Sequence, residues 1–384
     1  MNVERFEINV PDEEIADLHL RLKNTRWLED LNANVNEGIS HALLKRVVNY
    51  WAEEFDWREQ QRRLNAFSHF KANINGHSIH YIHQRGNGQN PMPLILTHGW
   101  PGSFVEMLSL IPLLTDPGAY GGDPADAFDV VIPSLPGYGF SSIPTEKGTG
   151  SYEVAALWKA LMNGLGYQRF GAQGGDLGAG VSTWLAYRYP QAVTGIHLNY
   201  IPGSYAPPLS ATEPPVTEQE QKYLDYVQTW SNENAAYSRL QSTKPQSLAA
   251  GLNDSPAGLA AWITEKFAAW SDNHGNLESA VPLDVLLTNI SLYWFTRTIG
   301  SSFRMYVEGK ARPAAFKSGE RVYPPLGVAL FPAELPLPPR SWVERGYNLT
   351  HWESMPAGGH FAALEQPQIL AADIRKFFRP LRKS

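Results

Sequence analysis

The chain contains no cysteine among its 384 residues. Disulfide bridges, thiolate nucleophiles and cysteine-bound zinc are thereby excluded. Long apolar runs are missing as well: the N-terminus, Met1-Asn2-Val3-Glu4-Arg5-Phe6, opens no stretch of signal-peptide or membrane-spanning length. The expectation is a soluble, cytoplasmic protein without a membrane anchor. There is no excess of positive charge, since 32 Lys and Arg stand against 38 Asp and Glu for a net charge of −6. That balance gives no reason to expect nucleic acid or an anionic membrane surface as partner. No internal repeat or low-complexity segment stands out.

What is abundant is packing material. Hydrophobic residues make up 43% of the chain and include twelve tryptophans, over a length that exceeds what one hydrophobic core usually supports. One core with embellishments follows. Residues 1–90 read as largely polar helical pieces, in which Leu44, Val47, Val48, Trp51 and Phe55 form an apolar helical stripe suited to core packing. From 91 to 200, strands and helices alternate as in a parallel sheet. Residues 201–320 break that rhythm with a proline-rich run from Pro202 to Pro215, followed by helices. Ser255-Pro256 reads as an N-cap with proline at the first position, and Leu259, Trp262, Ile263, Phe267 and Trp270 share one face behind it. A helical lid inserted after the sixth strand is expected here, with a separate linker domain as the other reading. Residues 321–384 return two strands and a closing helix.

The chemistry gathers at Gly174-Gly175-Asp176-Leu177-Gly178. It follows a short strand over 169–175 and opens a helix over 177–189, in which Val181, Trp184, Leu185 and Tyr189 fall at helical spacing before Pro190. Strand, glycine-flanked turn and helix together have the form of a nucleophile elbow, with aspartate where serine usually stands. A carboxylate, with an ordinary pKa of about 3.9, is charged at neutral pH and needs no base to activate it. On a saturated carbon, serine would form an ether that water cannot readily cleave, whereas aspartate forms an ester that it can. An electrophilic alkyl carbon is the implied target. The same five residues would also serve as an N-cap aspartate on a glycine-rich loop, and the pentapeptide alone does not separate the two.

Other segments supply matching parts. A strand over 93–97 runs into His98-Gly99-Trp100-Pro101-Gly102, the form of a loop that gives one oxyanion-hole donor, the second coming from the residue after the nucleophile. The donors would be the N–H groups of Trp100 and Leu177. Histidine suits water activation near neutral pH, and His360 in Gly358-Gly359-His360-Phe361, between a late strand around 349–355 and the last helix, fits the chain order nucleophile, acid, histidine. The acid is assigned to Glu334, after a strand over 328–331; Glu353 and Glu365 compete for the role, one inside the next strand and one beyond His360. His77, His80 and His83 sit on a strand, where their side chains alternate between faces and do not converge on one metal ion.

At these residues the chain resembles the epoxide hydrolases of the microsomal type, which include insect juvenile-hormone epoxide hydrolases and soluble fungal and bacterial members. The resemblance covers nearly the whole chain. It rests on His98-Gly99-Trp100-Pro101-Gly102-Ser103, on Gly174 to Gly178, on Leu252-Asn253-Asp254-Ser255-Pro256-Ala257-Gly258-Leu259 and on Gly358-Gly359-His360-Phe361-Ala362-Ala363-Leu364-Glu365. It implies an α/β-hydrolase fold with a mostly parallel eight-stranded sheet, an N-terminal wrapping extension over 1–90, a core over 91–200 and 321–384, and the lid over 201–320. It implies Asp176 as nucleophile, His360 as base and Glu334 as the acid holding it. It adds two lid tyrosines that hydrogen-bond the epoxide oxygen, for which Tyr306 and Tyr237 are the matches. The expected partners are an apolar epoxide and water, with no cofactor, and a homodimer by analogy with soluble relatives. One departure is Leu177, where many members carry tryptophan; its backbone donor is retained, but the pocket floor changes. Two alternatives remain. A haloalkane dehalogenase uses the same aspartate chemistry but requires halide-binding donors, commonly a tryptophan just after the nucleophile, and a non-catalytic binder would use the same fold without the chemistry.

Overall fold

The structure is a computed structural model describing residues 1–29 and 38–383; the expected 1–90 segment therefore includes eight residues, 30–37, that lie outside the described ones. Nine strands form one sheet: β1 (Val3–Arg5), β2 (His69–Ile74), β3 (His77–Gln84), β4 (Met92–Thr97), β5 (Phe128–Pro133), β6 (Phe170–Gly174), β7 (Val193–Leu198), β8 (Val322–Leu330) and β9 (Tyr347–Ser354). Their order is β1-β2-β3-β5-β4-β6-β7-β8-β9. The pairs from β5 to β9 are parallel, while β1, β2 and β3 join antiparallel at one edge.

The sheet has one strand more than the eight expected. The extra one is β1, three exposed residues of the sequence Val-Glu-Arg, too short and too polar to carry an alternation signal. Counting it also moves the helical insertion from after the sixth strand to after the seventh. The β2–β3 hairpin turns at Asn75-Gly76, both with positive φ, as a two-residue primed turn requires. β8 begins at Val322, six residues before the expected 328–331 strand, because Pro324 and Pro325 read as a break. The strand accommodates them at a register shift between Val322 and Pro325.

Burial explains why the central strands read as continuous apolar runs: β5 is buried at every position, as a sheet covered on both faces demands. One cover is the closing helix Pro367–Phe378, which lies on a floor of glycines. A Cβ on Gly171 would stand 2.6 Å from Phe378, and one on Gly327 would stand 2.6 Å from Phe377. The helix Asp176–Arg188 packs against β6, β7 and β8, with Val181 and Leu185 fully buried.

Between β7 and β8 lie the helices Glu218–Asn234, Ala236–Thr243, Pro245–Asp254, Pro256–Trp270, Leu283–Thr296 and Arg304–Ala311. Their entrance is pinned to the core by Arg345, whose guanidinium forks onto buried Glu220 at 2.9 and 2.8 Å and also reaches the carbonyls of Pro214 and Pro215. The helix His41–Glu53 turns its stripe inward with Val47, Val48 and Trp51 buried, and Trp51 Nε1 donates to Ser291 Oγ at 3.1 Å. The N-terminal segment thus clamps the inserted helices. No helix among the described residues is long and apolar enough to cross a membrane.

Candidate active site

The position of Asp176 follows from glycine spacing. Asp176 ends the turn from β6 into the helix Asp176–Arg188 with φ of 47°, a left-handed conformation uncommon for any residue with a Cβ. Such a sharp turn leaves no room for side chains around it. A Cβ on Gly174 would meet the backbone of Gly178 at 2.4 Å, and one on Gly178 would meet Thr97 O at 1.9 Å. The carboxylate is therefore lifted to the C-terminal end of the sheet, at the start of a helix whose dipole favours an anion there.

The loop after β4 meets it directly. Trp100 N–H donates to Asp176 Oδ1 at 2.8 Å, and a Cβ on Gly99 would fall 2.4 Å from that same oxygen. The loop is held from the inserted helices, where Asn289 Nδ2 donates to Pro101 O and Tyr293 OH to Gly102 O, both at 2.8 Å. Leu177, in the first turn of its helix, keeps a backbone N–H that no intrahelical carbonyl can accept.

His360 arrives on the loop after β9. Its Nδ1 lies 2.5 Å from Glu334 Oε1 and its Nε2 lies 3.4 Å from Asp176 Oδ2. Glu365 organises that loop, its carboxylate accepting the N–H groups of Gly359, Phe361 and Asp272. Its place beyond His360 is thus a scaffold for the histidine, and Glu353 pairs outward with Lys376 at 2.8 Å. Burial opposes a charge on His360, but the carboxylates of Glu334 and Asp176 outweigh it and push its pKa well above the ordinary value.

Tyr237 and Tyr306 line a cavity of about 450 Å3 together with Asp176 and Leu177. Its remaining surface includes Trp184, Tyr223, Val227, Trp230 and Met305. Trp100 stacks on Tyr237 at 5.5 Å and meets Tyr306 edge-on at 5.7 Å, so one indole fixes both phenols. Burial, reinforced for Tyr237 by Asp176, raises both phenol pKa values, which keeps both as hydrogen-bond donors. Of the seven residues singled out from the sequence, Asp176, Leu177, Tyr237 and Tyr306 line this cavity, Trp100 and His360 contact the Asp176 carboxylate, and Glu334 contacts His360.

Several neighbours escaped the sequence reading. Trp270 accepts His360 N–H on its carbonyl at 2.9 Å and packs edge-on to the imidazole at 5.2 Å. Asn199, held by Gln173 Nε2 at 2.9 Å, and Glu106 line a small hollow beside Asp176 and His360. A carboxylate inside the apolar run Phe104-Val105-Glu106-Met107-Leu108 was the one available signal. Elsewhere, His80 joins His69 at 2.9 Å and Ser134 at 2.8 Å, while His83 meets Tyr167 OH at 3.0 Å.

Comparison with known proteins adds names to this geometry. Residues 3–107 match the family described as "Epoxide hydrolase N terminus", and residues 92–278 match "alpha/beta hydrolase fold". "Epoxide hydrolase 1" of Oryctolagus cuniculus is 40% identical over 402 residues, covering 98% of this chain and 88% of that protein. The crystal structure of juvenile hormone epoxide hydrolase from the silkworm Bombyx mori superposes with a TM-score of 0.85 at 32% identity, covering 100% of this chain and 94% of that one. The structure of Aspergillus niger epoxide hydrolase gives a TM-score of 0.84 at 30% identity, covering 99% and 97%.

Proposed function

The chain belongs to the epoxide hydrolase family and is an epoxide hydrolase of the α/β-hydrolase fold; from that premise we propose how its own residues divide the reaction. Asp176 attacks an epoxide carbon, and the carbon–oxygen bond of the ring breaks. The phenols of Tyr306 and Tyr237 hydrogen-bond the departing oxygen, and one gives it a proton, leaving a hydroxyalkyl ester on Asp176. Water then adds to the ester carbonyl while His360 Nε2 takes one of its protons. The N–H groups of Trp100 and Leu177 receive the oxyanion, a contribution of roughly 3 to 4 kcal/mol per donor in well-studied cases. Collapse breaks the bond between the acyl carbon and the alkyl oxygen, to which His360 returns its proton. The second water proton, left on the Asp176 carboxyl, passes to His360 and restores its protonated resting form. The product is a vicinal diol.

The observation that carries this reading is the continuous contact of Asp176, His360 and Glu334, at 3.4 and 2.5 Å, beneath two buried phenols. It also gives the histidine a change of state. With Asp176 anionic, His360 is held protonated; esterification removes that negative charge, His360 loses one of its two stabilising partners, its pKa falls towards the range of a useful base, and the proton it releases restores the phenolate to a phenol. Glu334 remains to orient it.

Leu177, Trp184, Val227, Trp230 and Met305 in the lining of the 450 Å3 cavity support apolar epoxides as substrates, with Lys310 and Arg312 the cationic residues of the same lining. In this reading residues 201–320 act as the lid that carries the phenols, 91–200 and 321–384 as the core that carries nucleophile, acid and base, and 1–90 as the clamp. A single turnover in heavy-oxygen water is the test: the label is expected in Asp176, and label appearing directly in the diol would sink the ester intermediate.

A further inference from the structure

Glu106 is a buried carboxyl that the reaction as described does not use. It lies on the short helical turn Phe104–Met107 and is 9% exposed. No protein group among the described residues hydrogen-bonds to its carboxyl. A carboxyl buried without a partner is costly, so its position needs an explanation. The carboxyl rests directly against Gly102: a Cβ there would fall 1.1 Å from Glu106 Oε1, so the side chain holds this position only with glycine at 102.

The carboxyl faces a hollow of about 10 Å3 that is shared with Asp176, His360, Asn199, Gly175 and Phe361. That space matches a single water and little else. The substrate cavity, at about 450 Å3, is a separate space that reaches the same Asp176 carboxylate. Asp176 thus has one opening sized for a substrate and another sized for one water, and the second is bordered by the imidazole that must deprotonate water.

We propose that this hollow seats the hydrolytic water and that Glu106 holds it, together with His360, for attack on the Asp176 ester. The inference rests on the ester reading above. Burial, reinforced by the negative charge of Asp176, pushes the Glu106 carboxyl up to about 8 against the opposing effect of His360. At neutral pH it is therefore a neutral carboxyl, able both to donate to a water oxygen and to accept from a water proton. The other water proton is then free to point at His360 Nε2. A neutral holder also avoids adding a third anion beside Asp176 and Glu334.

The two chemical steps separate the proposal from a packing role. In single-turnover experiments, rapid quenching and mass measurement of the intact protein follow formation and decay of the alkyl-enzyme. Glu106→Leu is expected to leave formation of the adduct within a few-fold of wild type while slowing its decay about 10- to 100-fold, so that adduct accumulates. Glu106→Gln, which can still donate and accept, is expected to restore most of the decay rate. Unchanged decay in Glu106→Leu, or an equal fall in both steps for a variant with native circular dichroism, overturns the proposal. Should Glu106→Leu not fold, Gly102→Ala, which displaces the carboxyl from its seat, and Glu106→Met carry the same comparison. Heavy-oxygen label found directly in the diol of the wild-type enzyme removes the ester reading and this inference with it; an adduct that decays equally fast in every variant removes only the inference.

Discussion

Glu334 Oε1 and His360 Nδ1 stand 2.5 Å apart across 26 residues of chain. The contact is a product of sheet topology. β8 and β9 are parallel neighbours with Leu330 opposite Ser354, so the loops leaving their C-terminal ends emerge side by side. The first carries Glu334 and the second carries His360. Because both side chains are almost fully buried, water does not screen the pair, and the interaction fixes which imidazole nitrogen faces Asp176.

Replacing Glu334 by Gln keeps the size and one hydrogen bond but removes the charge that holds His360 up. The imidazole pKa then falls, and its protonated form loses its main stabiliser. The maximal turnover is expected to drop roughly 10²- to 10⁴-fold. The acid limb of the pH–rate profile moves to lower pH in the same variant. Steady-state rates from pH 5 to 9 check both effects together.

Asp176→Asn removes the anionic nucleophile while the glycine-lined turn remains intact. Turnover is expected to fall by about 10⁴-fold or more, as for loss of a nucleophile elsewhere. Binding of a diol product is retained, measurable by calorimetry. Activity near the wild-type level would contradict the assignment.

Much of this site was legible before any coordinates. Asp176, His360 and the loop around Trp100 are recognisable because the glycines flanking them are forced by close contacts, 1.9 to 2.6 Å for an added Cβ around Asp176 and 2.7 to 2.8 Å at Gly359 and Gly358 beside His360. Glu334 followed from chain order. Less accessible were features that depend on packing between distant segments. The carboxylate in the apolar run around Glu106 is a signal of its own, but it does not reveal the Asp176 hollow, whose other walls come from the loops after β6, β7 and β9. The three-residue β1 strand was missed because its backbone pairing with β2, and no pattern of its own, defines it. Pro324 and Pro325 hid the first half of β8, since tolerance of proline inside a strand depends on a register shift that only the neighbouring strand reveals.

In the proposed mechanism the phenols of Tyr306 and Tyr237 act on the first step alone. Tyr306→Phe and Tyr237→Phe are each expected to slow adduct formation by roughly 10²-fold, in keeping with loss of one oriented donor to a developing oxyanion. Adduct decay should change by no more than a few-fold. The double variant tests whether the two share one oxygen: a much larger loss than either single change indicates that each phenol partly covers for the other.

Glycine contacts give a paired stability test. Gly178→Ala places a methyl group 1.9 Å from the backbone oxygen of Thr97, which cannot swing aside, so destabilisation of at least about 1 to 3 kcal/mol is expected, with poor expression as the extreme outcome. Gly251 lies exposed inside the helix Pro245–Asp254 with nothing within 4 Å of an added Cβ. Gly251→Ala should stabilise by about 0.5 to 1 kcal/mol through helix propensity. Urea unfolding of the two variants reads both signs in one experiment.

The buried histidines near the N-terminal edge set an acid limit. Leu64 O can only accept, so His69 Nε2 must carry a proton towards it at 2.8 Å. His69 Nδ1 then accepts from His80 Nε2 at 2.9 Å, and His80 Nδ1 accepts from Ser134 Oγ at 2.8 Å. Each ring is neutral in this chain of donors. Burial lowers the pKa of His69 and takes that of His80 well below the ordinary value, and burial also brings His98 down to about 4. Below pH 6.5 the unfolded chain therefore binds protons that the folded protein does not. The stabilisation is complete above that pH and is lost as pH falls through the folded-state values, at up to about 1.4 kcal/mol per pH unit for each histidine. Urea unfolding at pH 7.5 and 5.0 should show a clear fall for the wild type. His80→Asn should be less stable at pH 7.5 yet lose less on acidification, because one of the groups that discriminates between folded and unfolded states no longer titrates. An equal fall for wild type and variant would place the acid sensitivity elsewhere.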